Sequence, residues 1–243
     1  MKLIKLIIIS FLFIGCSNAD SGPNAQSKTG KGGSMARFAI VGNYLYTVDD
    51  SSLNVFSIVE DANPVFVNEV YVGFRIETLF AYNTDLFVGS ESGMFIFSLE
   101  NPEVPVQESS IQHFTACDPV VTDGEFAYVT LHSESTCGNN INMLEVYNVA
   151  DIQNPILLHQ RNMMSPKGLG LYNDYLLICD DELKIFDVTD PQNMTLASSI
   201  NIVGFDVIIQ NNHLIVVGAE GLYQYSLDPD NINNITHLST ISY

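Results

Sequence analysis

A pair of apolar segments recurs five times in the chain, and this repetition limits the possible folds more than any other feature of the sequence. The first segments read NYLYTVD, TDLFVGS, EFAYVTL, DYLLICD and NHLIVVG, and the second read LNVFSI, MFIFSL, LEVYNV, LKIFDV and LYQYSL. Successive second segments begin 41, 50, 39 and 39 residues apart, and the long spacing contains a loop inserted near residues 133–142. The repeat therefore predicts five copies of one structural unit.

Two further strands complete each unit. A short apolar strand precedes each pair, and a polar turn followed by a more polar, alternating strand comes after it. Four strands in about 41 residues, bounded by Gly, Asn, Asp and Pro, leave no room for a helix. The unit is therefore predicted to be a four-stranded antiparallel sheet in which each strand pairs with the next.

Such a sheet cannot bury both of its faces alone, so neighbouring units have to pack face to face. Packing them around an axis gives a β-propeller, which closes on itself. An open stack of sheets would leave an apolar face at each end, and no capping unit is visible. The predicted fold class is therefore all-β, a five-bladed propeller of four-stranded antiparallel blades. The blades are expected at residues 36–73, 74–115, 116–163, 164–204 and 205–243.

Several segments resemble a known bacterial repeat. YLLICDDELKIFDVTDP at 175–191 and YLYTVDDSSLNVFSI at 44–58 are similar to the LVIVD repeat of surface and periplasmic proteins. CDPVVTDGEFAYVTL at 117–131 resembles a group of lipoproteins built from these repeats. The resemblance covers nearly all of residues 36–243. It implies a propeller fold and export, and the family has no established chemistry to carry over.

The first sixteen residues have the pattern of an export signal. Lys2 and Lys5 precede an apolar run that ends at Ile14, and this run is too short to span a bilayer comfortably as a permanent helix. The tetrapeptide FIGC at 13–16 resembles a bacterial lipobox, in which the cysteine is lipidated and becomes the mature N-terminus. We expect residues 1–15 to be a lipoprotein signal peptide and Cys16 to carry lipid. The alternative is an ordinary signal peptide that is cleaved nearby.

Residues 16–35 are predicted to be a lipidated flexible tether, because Ser, Gly, Asn and Lys are frequent in the segment and it has no apolar period. Ser17 stands where some bacterial lipoproteins have the aspartate that retains them in the inner membrane. We expect a location at the bacterial outer membrane or cell surface, with the periplasm as an alternative. The lipid would be the protein's only contact with the membrane.

The charge of the chain restricts its partners. It carries 28 acidic and 9 basic residues, which give a formal net charge of −19. Nucleic acid and anionic membrane surfaces would repel such a protein. An apolar content of 47% is enough for a packed core. We expect a monomer whose partner is a protein or a polar ligand.

Three cysteines lie beyond Cys16. Cys117 falls at the start of blade three and Cys137 in its inserted loop, and exported proteins meet an oxidising compartment. A disulfide between them is predicted, and closing a loop of about 20 residues stabilises a protein by roughly 3 kcal/mol. Cys179 lies in an apolar strand beside Ile178, so we interpret it as a buried hydrophobic residue and not as a nucleophile.

The sequence contains no motif typical of a catalytic or metal site. The histidines, which have no zinc-like spacing, are His113, His132, His159, His213 and His237. Acidic pairs such as Asp49-Asp50 suit tight turns and lack the spacing of a calcium loop. No nucleophile elbow, HExxH or phosphate loop is present. No cofactor, metal ligand or catalytic residue is therefore assigned.

Charged residues recur where the chain enters the first strand of a blade. Because the first strand is innermost in a propeller, we expect these residues to converge around one mouth of the central channel. The candidate binding residues are Arg37, Arg75, Glu77, Asp118, Lys167 and Asp206. A mixed-charge ring of this kind suits a polar ligand or a peptide. The alternative is that the charges pair with one another and only close the ring.

Two classes of function fit these features. The first is a non-enzymatic, lipid-anchored binding or interaction module at the cell envelope, which includes a purely structural role. The second is an exported propeller enzyme, a hydrolase or lyase acting on glycans, with its site at the channel mouth. Converging carboxylates with strongly shifted pKa values would favour the enzyme. The lack of a catalytic motif favours the binding module.

Overall fold

The computed structural model describes residues 32–60, 62–112, 119–132 and 141–243. Blade one contains β1 (Phe38–Val41), β2 (Tyr44–Val48), β3 (Ser52–Ser57) and β4 (Val65–Tyr71). Blade two contains β5 (Ile76–Tyr82), β6 (Asp85–Ser90), β7 (Gly93–Ser98) and β8 (Val106–Gln112). Blade three contains β9 (Val120–Thr122), β10 (Phe126–Leu131), β11 (Met143–Asn148) and β12 (Ile156–Asn162). Blade four contains β13 (Leu169–Tyr172), β14 (Tyr175–Cys179), β15 (Leu183–Asp187) and β16 (Thr195–Ile200). Blade five contains β17 (Gly204–Gln210), β18 (His213–Gly218), β19 (Gly221–Ser226) and β20 (Thr236–Ser242).

The predicted all-β propeller with five four-stranded antiparallel blades is confirmed. Within each blade every strand pairs with the next strand of the sequence, so each sheet is built from consecutive strands. The inner strands of successive blades contact each other, β1 with β5, β5 with β9, β9 with β13 and β13 with β17. The described residues include no helix that could cross a membrane.

The hairpins between first and second strands turn tightly because their residues tolerate a left-handed backbone. Gly42, Asn83, Asn173 and Asn211 have φ angles of 59°, 51°, 50° and 54°. Two-residue hairpin turns of this kind need a positive φ, which Gly and Asn adopt more readily than other residues. The turns at 42–43 and 83–84 lie beside the central cavity of the propeller.

Four apolar clusters hold neighbouring blades together, because side chains of one strand alternate between its two faces. In β14, Leu176 and Ile178 pack into the cluster shared with blade three. Leu177 and Cys179 of the same strand pack into the cluster shared with blade five. Similar clusters join blade one to blade two and blade two to blade three.

The boundary between blades five and one, here called the seam, is built differently. Among the residues that the structure describes, no cluster of buried apolar side chains joins these two blades. No strand crosses the seam either, since both blades consist of their own four strands. The described part of the ring therefore closes at the seam through other contacts.

Candidate functional site

A cavity of about 830 Å³ runs along the propeller axis. Each of the five inner strands contributes to its wall, for example through Val41, Leu79, Val121, Leu169 and Ile209. The cavity is therefore the central channel.

The described wall of this channel is largely apolar and carries no charged side chain. Its residues include no Asp, Glu, Lys, Arg, His or Cys. Polar side chains lie at the end formed by the hairpin turns, where Asn43, Asn83 and Thr84 are exposed and border the channel. We call this end the rim. The Tyr44 hydroxyl at the rim donates a hydrogen bond of 2.8 Å to Glu103.

Residues 32–35, here called the latch, lie at the opposite end of the channel. The buried Ser34 hydroxyl donates to Asp206 Oδ1 at 3.0 Å and accepts from the backbone N–H of Leu169 at 2.8 Å. The N–H of Met35 donates to Asp206 Oδ2 at 3.2 Å. The latch thereby ties the chain before blade one to blades four and five.

Glycines allow the latch to approach this closely. A Cβ atom on Gly33 would lie 2.0 Å from Asp206 Oδ2, and one on Gly168 would lie 2.2 Å from Asp206 Oδ1. Real Cβ atoms do not come so near an oxygen, so a side chain at either position would displace the Asp206 carboxylate.

The largely buried carboxyl group of Asp206 accepts hydrogen bonds from the Ser34 hydroxyl and from the backbone N–H groups of Met35 and Val207. Burial raises its pKa above the usual range. Hydrogen bonds from the N–H groups of Met35 and Val207 and from Ser34 oppose this rise, because they stabilise the ionised form. Asp206 is thus a structural acceptor at the closed end of the channel.

Three of the predicted ring residues come together outside the channel. Arg37, Arg75 and Glu77 line a recess of about 330 Å³ at the boundary of blades one and two, together with Asp50 and Glu91. We call it the charged recess. Neither Asp50 nor Glu91 is among the predicted ring residues, although both lie in turns between second and third strands, where other blades also carry acidic residues.

The arginines of the charged recess already have partners. Arg37 donates to the backbone oxygens of Asp49 at 3.1 Å and Ile76 at 3.0 Å, so it joins blade one to blade two. Arg75 forms an ion pair with Glu91. Arg75 also has a left-handed φ of 53°, which is costly for a residue with a Cβ atom.

Glu77 is half-buried in the charged recess. Burial raises its pKa, and the neighbouring Glu91 raises it further, while Arg37 and Arg75 lower it. Burial of the Glu77 side chain therefore favours its protonated form.

The other predicted ring residues lie elsewhere. The ammonium group of Lys167 lies 5.1 Å from the centre of the Phe205 ring, a cation–π contact between blades four and five. Asp206 binds the latch. Asp118 lies outside the described residues, as do Cys16, Cys117 and Cys137. Of the described ring residues, Arg37, Arg75 and Glu77 thus share one recess, while Lys167 and Asp206 have other partners.

Neither the buried cysteine nor the acidic turns provide a reactive or metal site. Cys179 is fully buried, and burial raises the pKa of its thiol, so the thiolate form is disfavoured. Asp49 accepts hydrogen bonds of 2.9 Å from the N–H groups of Ser51 and Ser52, which is a turn-forming role. Within the described ranges, no group of three His, Cys, Asp or Glu side chains is arranged to hold a metal ion.

Comparison with known proteins adds information on the fold. The chain matches no protein-family model, and no curated protein is similar to it in sequence. A periplasmic gluconolactonase of Pseudomonas aeruginosa has a similar structure, with a TM-score of 0.61 and 14% identity over 83% of this chain and 68% of that chain. A protein of unknown function from Desulfotomaculum acetoxidans has a similar structure with a TM-score of 0.65 and 8% identity over 89% of this chain and 70% of that chain. A protein from Lactobacillus plantarum has a TM-score of 0.61 and 13% identity over 82% of this chain and 68% of that chain. At these identities the likeness concerns the fold alone.

Proposed function

We propose that the protein is an exported, lipid-anchored binding module of the bacterial cell envelope that holds its ligand in the central channel without catalysis. The observation that carries this proposal is the channel of about 830 Å³, whose described wall has no acidic, basic or thiol side chain. Its volume lies within the range of about 300–1,000 Å³ that is typical of small-molecule sites.

The chemistry of the channel favours binding over catalysis. General acid–base catalysis needs a titratable side chain within hydrogen-bond reach of the reacting group. The described polar side chains of the channel are amides, aliphatic hydroxyls and the phenols of Tyr44 and Tyr82, and none of them is a carboxyl, imidazole, amine or thiol group. Such an arrangement selects and holds a molecule without converting it.

The N-terminal sequence supports the proposed location. The apolar leader, the lipobox-like FIGC and the Gly- and Ser-rich tether together describe a lipoprotein, and the likeness to LVIVD repeats is consistent with export. The net charge of −19 opposes direct contact with anionic lipid surfaces. Attachment through the Cys16 lipid alone follows from these features.

Metabolic labelling tests the anchor. The full chain is expressed in a bacterium with tritiated palmitate, and Cys16→Ala is compared with the matched variant Cys179→Ala. We expect label and membrane association in the wild type and in Cys179→Ala, and neither in Cys16→Ala. Equal labelling of all three proteins would contradict lipidation at Cys16.

Native mass spectrometry tests binding in the channel. The full chain, released from membranes in mild detergent, is expected to carry a co-purified small molecule in a 1:1 ratio. Thr84→Trp, which places a large side chain at the exposed rim, should lower the occupancy, while Ser199→Trp on an outer strand should not. Equal occupancy in both variants would place the molecule outside the channel.

A hydrolytic enzyme is the second candidate, and one feature favours it. Glu77 has a raised pKa beside two arginines in a recess, which is a pattern found at active sites. Glucono-δ-lactone, suggested only by the structural likeness to a gluconolactonase, provides a probe. The binding proposal expects wild type and Glu77→Gln to hydrolyse it at the same background rate. Hydrolysis that disappears in Glu77→Gln would favour the enzyme.

A further inference from the structure

We infer that the ligand of the central channel is an uncharged, apolar small molecule that enters through the rim. The inference rests on the proposed function, because it names the ligand class of the same site. It also replaces the polar ligand expected from the sequence by one whose chemistry matches the channel wall.

The channel wall disfavours an ion. Val41, Leu79 and Ile209 border the cavity, and the described wall has no side chain of opposite charge for either a cation or an anion. A charged group that leaves water for an apolar site without a partner loses its hydration without compensation. A neutral apolar molecule instead gains free energy in proportion to the apolar area that it buries.

The two ends of the channel differ in what they offer a ligand. At the latch end, Asp206 already accepts hydrogen bonds from Ser34, Met35 and Val207. Its carboxylate is therefore committed to the protein and is not available to a ligand. Gly32, Gly33 and the buried Ser34 line the channel here, so the latch occupies this end.

The rim end remains open, and the polar side chains that border the cavity there are neutral. Asn43, Asn83 and Thr84 are exposed there and border the channel. Amide and hydroxyl groups at the edge of an apolar cavity suit a molecule with an apolar body and one neutral polar end, such as an alcohol or an amide. The ligand class follows from this gradient of polarity.

Two dyes with nearly the same skeleton test the ligand class. N-phenyl-1-naphthylamine is uncharged, and 1-anilinonaphthalene-8-sulfonate adds one negative charge. Both are titrated against the full chain at about 1 M salt, where the Debye length of roughly 3 Å suppresses repulsion by the protein's net charge. We expect saturable 1:1 binding of the uncharged dye and at least tenfold weaker binding of the sulfonate.

Channel variants show where the dye binds. Val41→Asp places a carboxylate in the channel wall and is expected to lower the affinity for the uncharged dye at least tenfold. Val41→Leu should keep this affinity within threefold of the wild type. If Val41→Asp does not fold, Thr84→Asp at the exposed rim provides the same comparison against Thr84→Val. Arg75→Ala, in the charged recess, should leave dye affinity unchanged.

The outcomes separate the ligand class from the function. Equal affinity for the two dyes, with both weakened by the acidic channel variants, would overturn the inference and leave the proposed binding function standing. Dye binding that responds to Arg75→Ala and not to the channel variants would overturn both, because the ligand would then lie in the charged recess.

Discussion

The seam between blades five and one and the other four blade boundaries close the same ring by different means. Four boundaries each bury a cluster of apolar side chains. In the described residues the seam is closed by the latch, through hydrogen bonds from Ser34 and Met35 to Asp206 and from Leu169 to Ser34. Burial of apolar area contributes about 25 cal/mol per Å², whereas one hydrogen bond contributes a net of about 1 kcal/mol.

This difference identifies the weakest boundary of the ring. A boundary held by a few hydrogen bonds opens at a lower free energy than one held by a cluster of buried apolar side chains. Because the latch also lies at one end of the channel, opening of the seam would expose the end opposite the rim. Four predictions test this contrast, from the largest expected effect to the smallest.

The largest effect is expected in an apolar cluster. Leu177 is fully buried between blades four and five, so Leu177→Ala should lower the free energy of unfolding by about 2–5 kcal/mol through lost burial and a cavity. Phe38, in β1 of blade one, is 52% exposed, and Phe38→Ala should cost less than about 1 kcal/mol. Urea unfolding measures both. A larger loss for Phe38→Ala would mean that apolar packing also holds blade one at this position.

The latch should show the next largest effect. Ser34→Ala removes the hydroxyl that accepts from the buried N–H of Leu169, and an unsatisfied buried N–H costs about 1–3 kcal/mol. Ser199 is exposed on β16, and Ser199→Ala serves as the control with no expected change. Urea unfolding measures the free energy of unfolding of both variants. Equal stability of the two variants would show that the latch contributes nothing to the closed ring.

The pH dependence of stability should carry the signature of Asp206. Its pKa is raised by burial, so its stabilising contribution is complete below its unfolded pKa and is lost as the pH rises through the higher folded value. The difference in unfolding free energy between wild type and Asp206→Asn should therefore decrease with rising pH in that window.

Asp187 provides a control of opposite sign. Hydrogen bonds from Thr189 lower the pKa of Asp187, so its contribution is present above the unfolded pKa and is lost as the pH falls. The difference in unfolding free energy between wild type and Asp187→Asn should therefore increase with rising pH. The same slope for both differences would contradict the assignment of Asp206 as a buried acceptor.

The smallest effect is expected in the charged recess. The Arg75–Glu91 ion pair is exposed on the arginine side, so its loss in Arg75→Ala should cost no more than about 1 kcal/mol. Arg75→Gly loses the same pair but relieves the left-handed backbone, and it should be more stable than Arg75→Ala by about 1 kcal/mol. Thermal unfolding of the two variants measures this difference. Equal stability would mean that the backbone at residue 75 is not strained.

The blades could be predicted from the sequence because their information is local. In β14, the consecutive residues Leu176, Leu177 and Ile178 are all apolar, which is the pattern of a strand buried on both faces. Asn and Gly at the first hairpin of four blades mark tight turns in the same way. Strand pairing between sequence neighbours follows directly from such signals.

The latch could not be predicted in this way. Ser34 belongs to a Gly- and Ser-rich segment that reads as part of the tether, and its partner Asp206 lies 172 residues away. A polar contact over that distance leaves no periodicity in either segment. The charged ring was predicted from equivalent positions in the blades, and the partners of its members could not be predicted in this way: Arg37 donates to backbone oxygens of Asp49 and Ile76 at a blade boundary. Equivalent positions in a repeat therefore do not ensure equivalent directions of long side chains.

Hydrogen exchange at two buried amides tests the weak seam most directly. The N–H of Leu169 donates to Ser34 of the latch at 2.8 Å, while the N–H of Cys179 donates to Gly168 within blade four at 2.9 Å. Both residues are fully buried, so burial alone predicts equal protection. We expect Leu169 to exchange through a local opening of lower free energy that is nearly independent of urea, and Cys179 to exchange only through larger unfolding. The same opening free energy and the same urea dependence at both amides would contradict a ring that opens first at the seam.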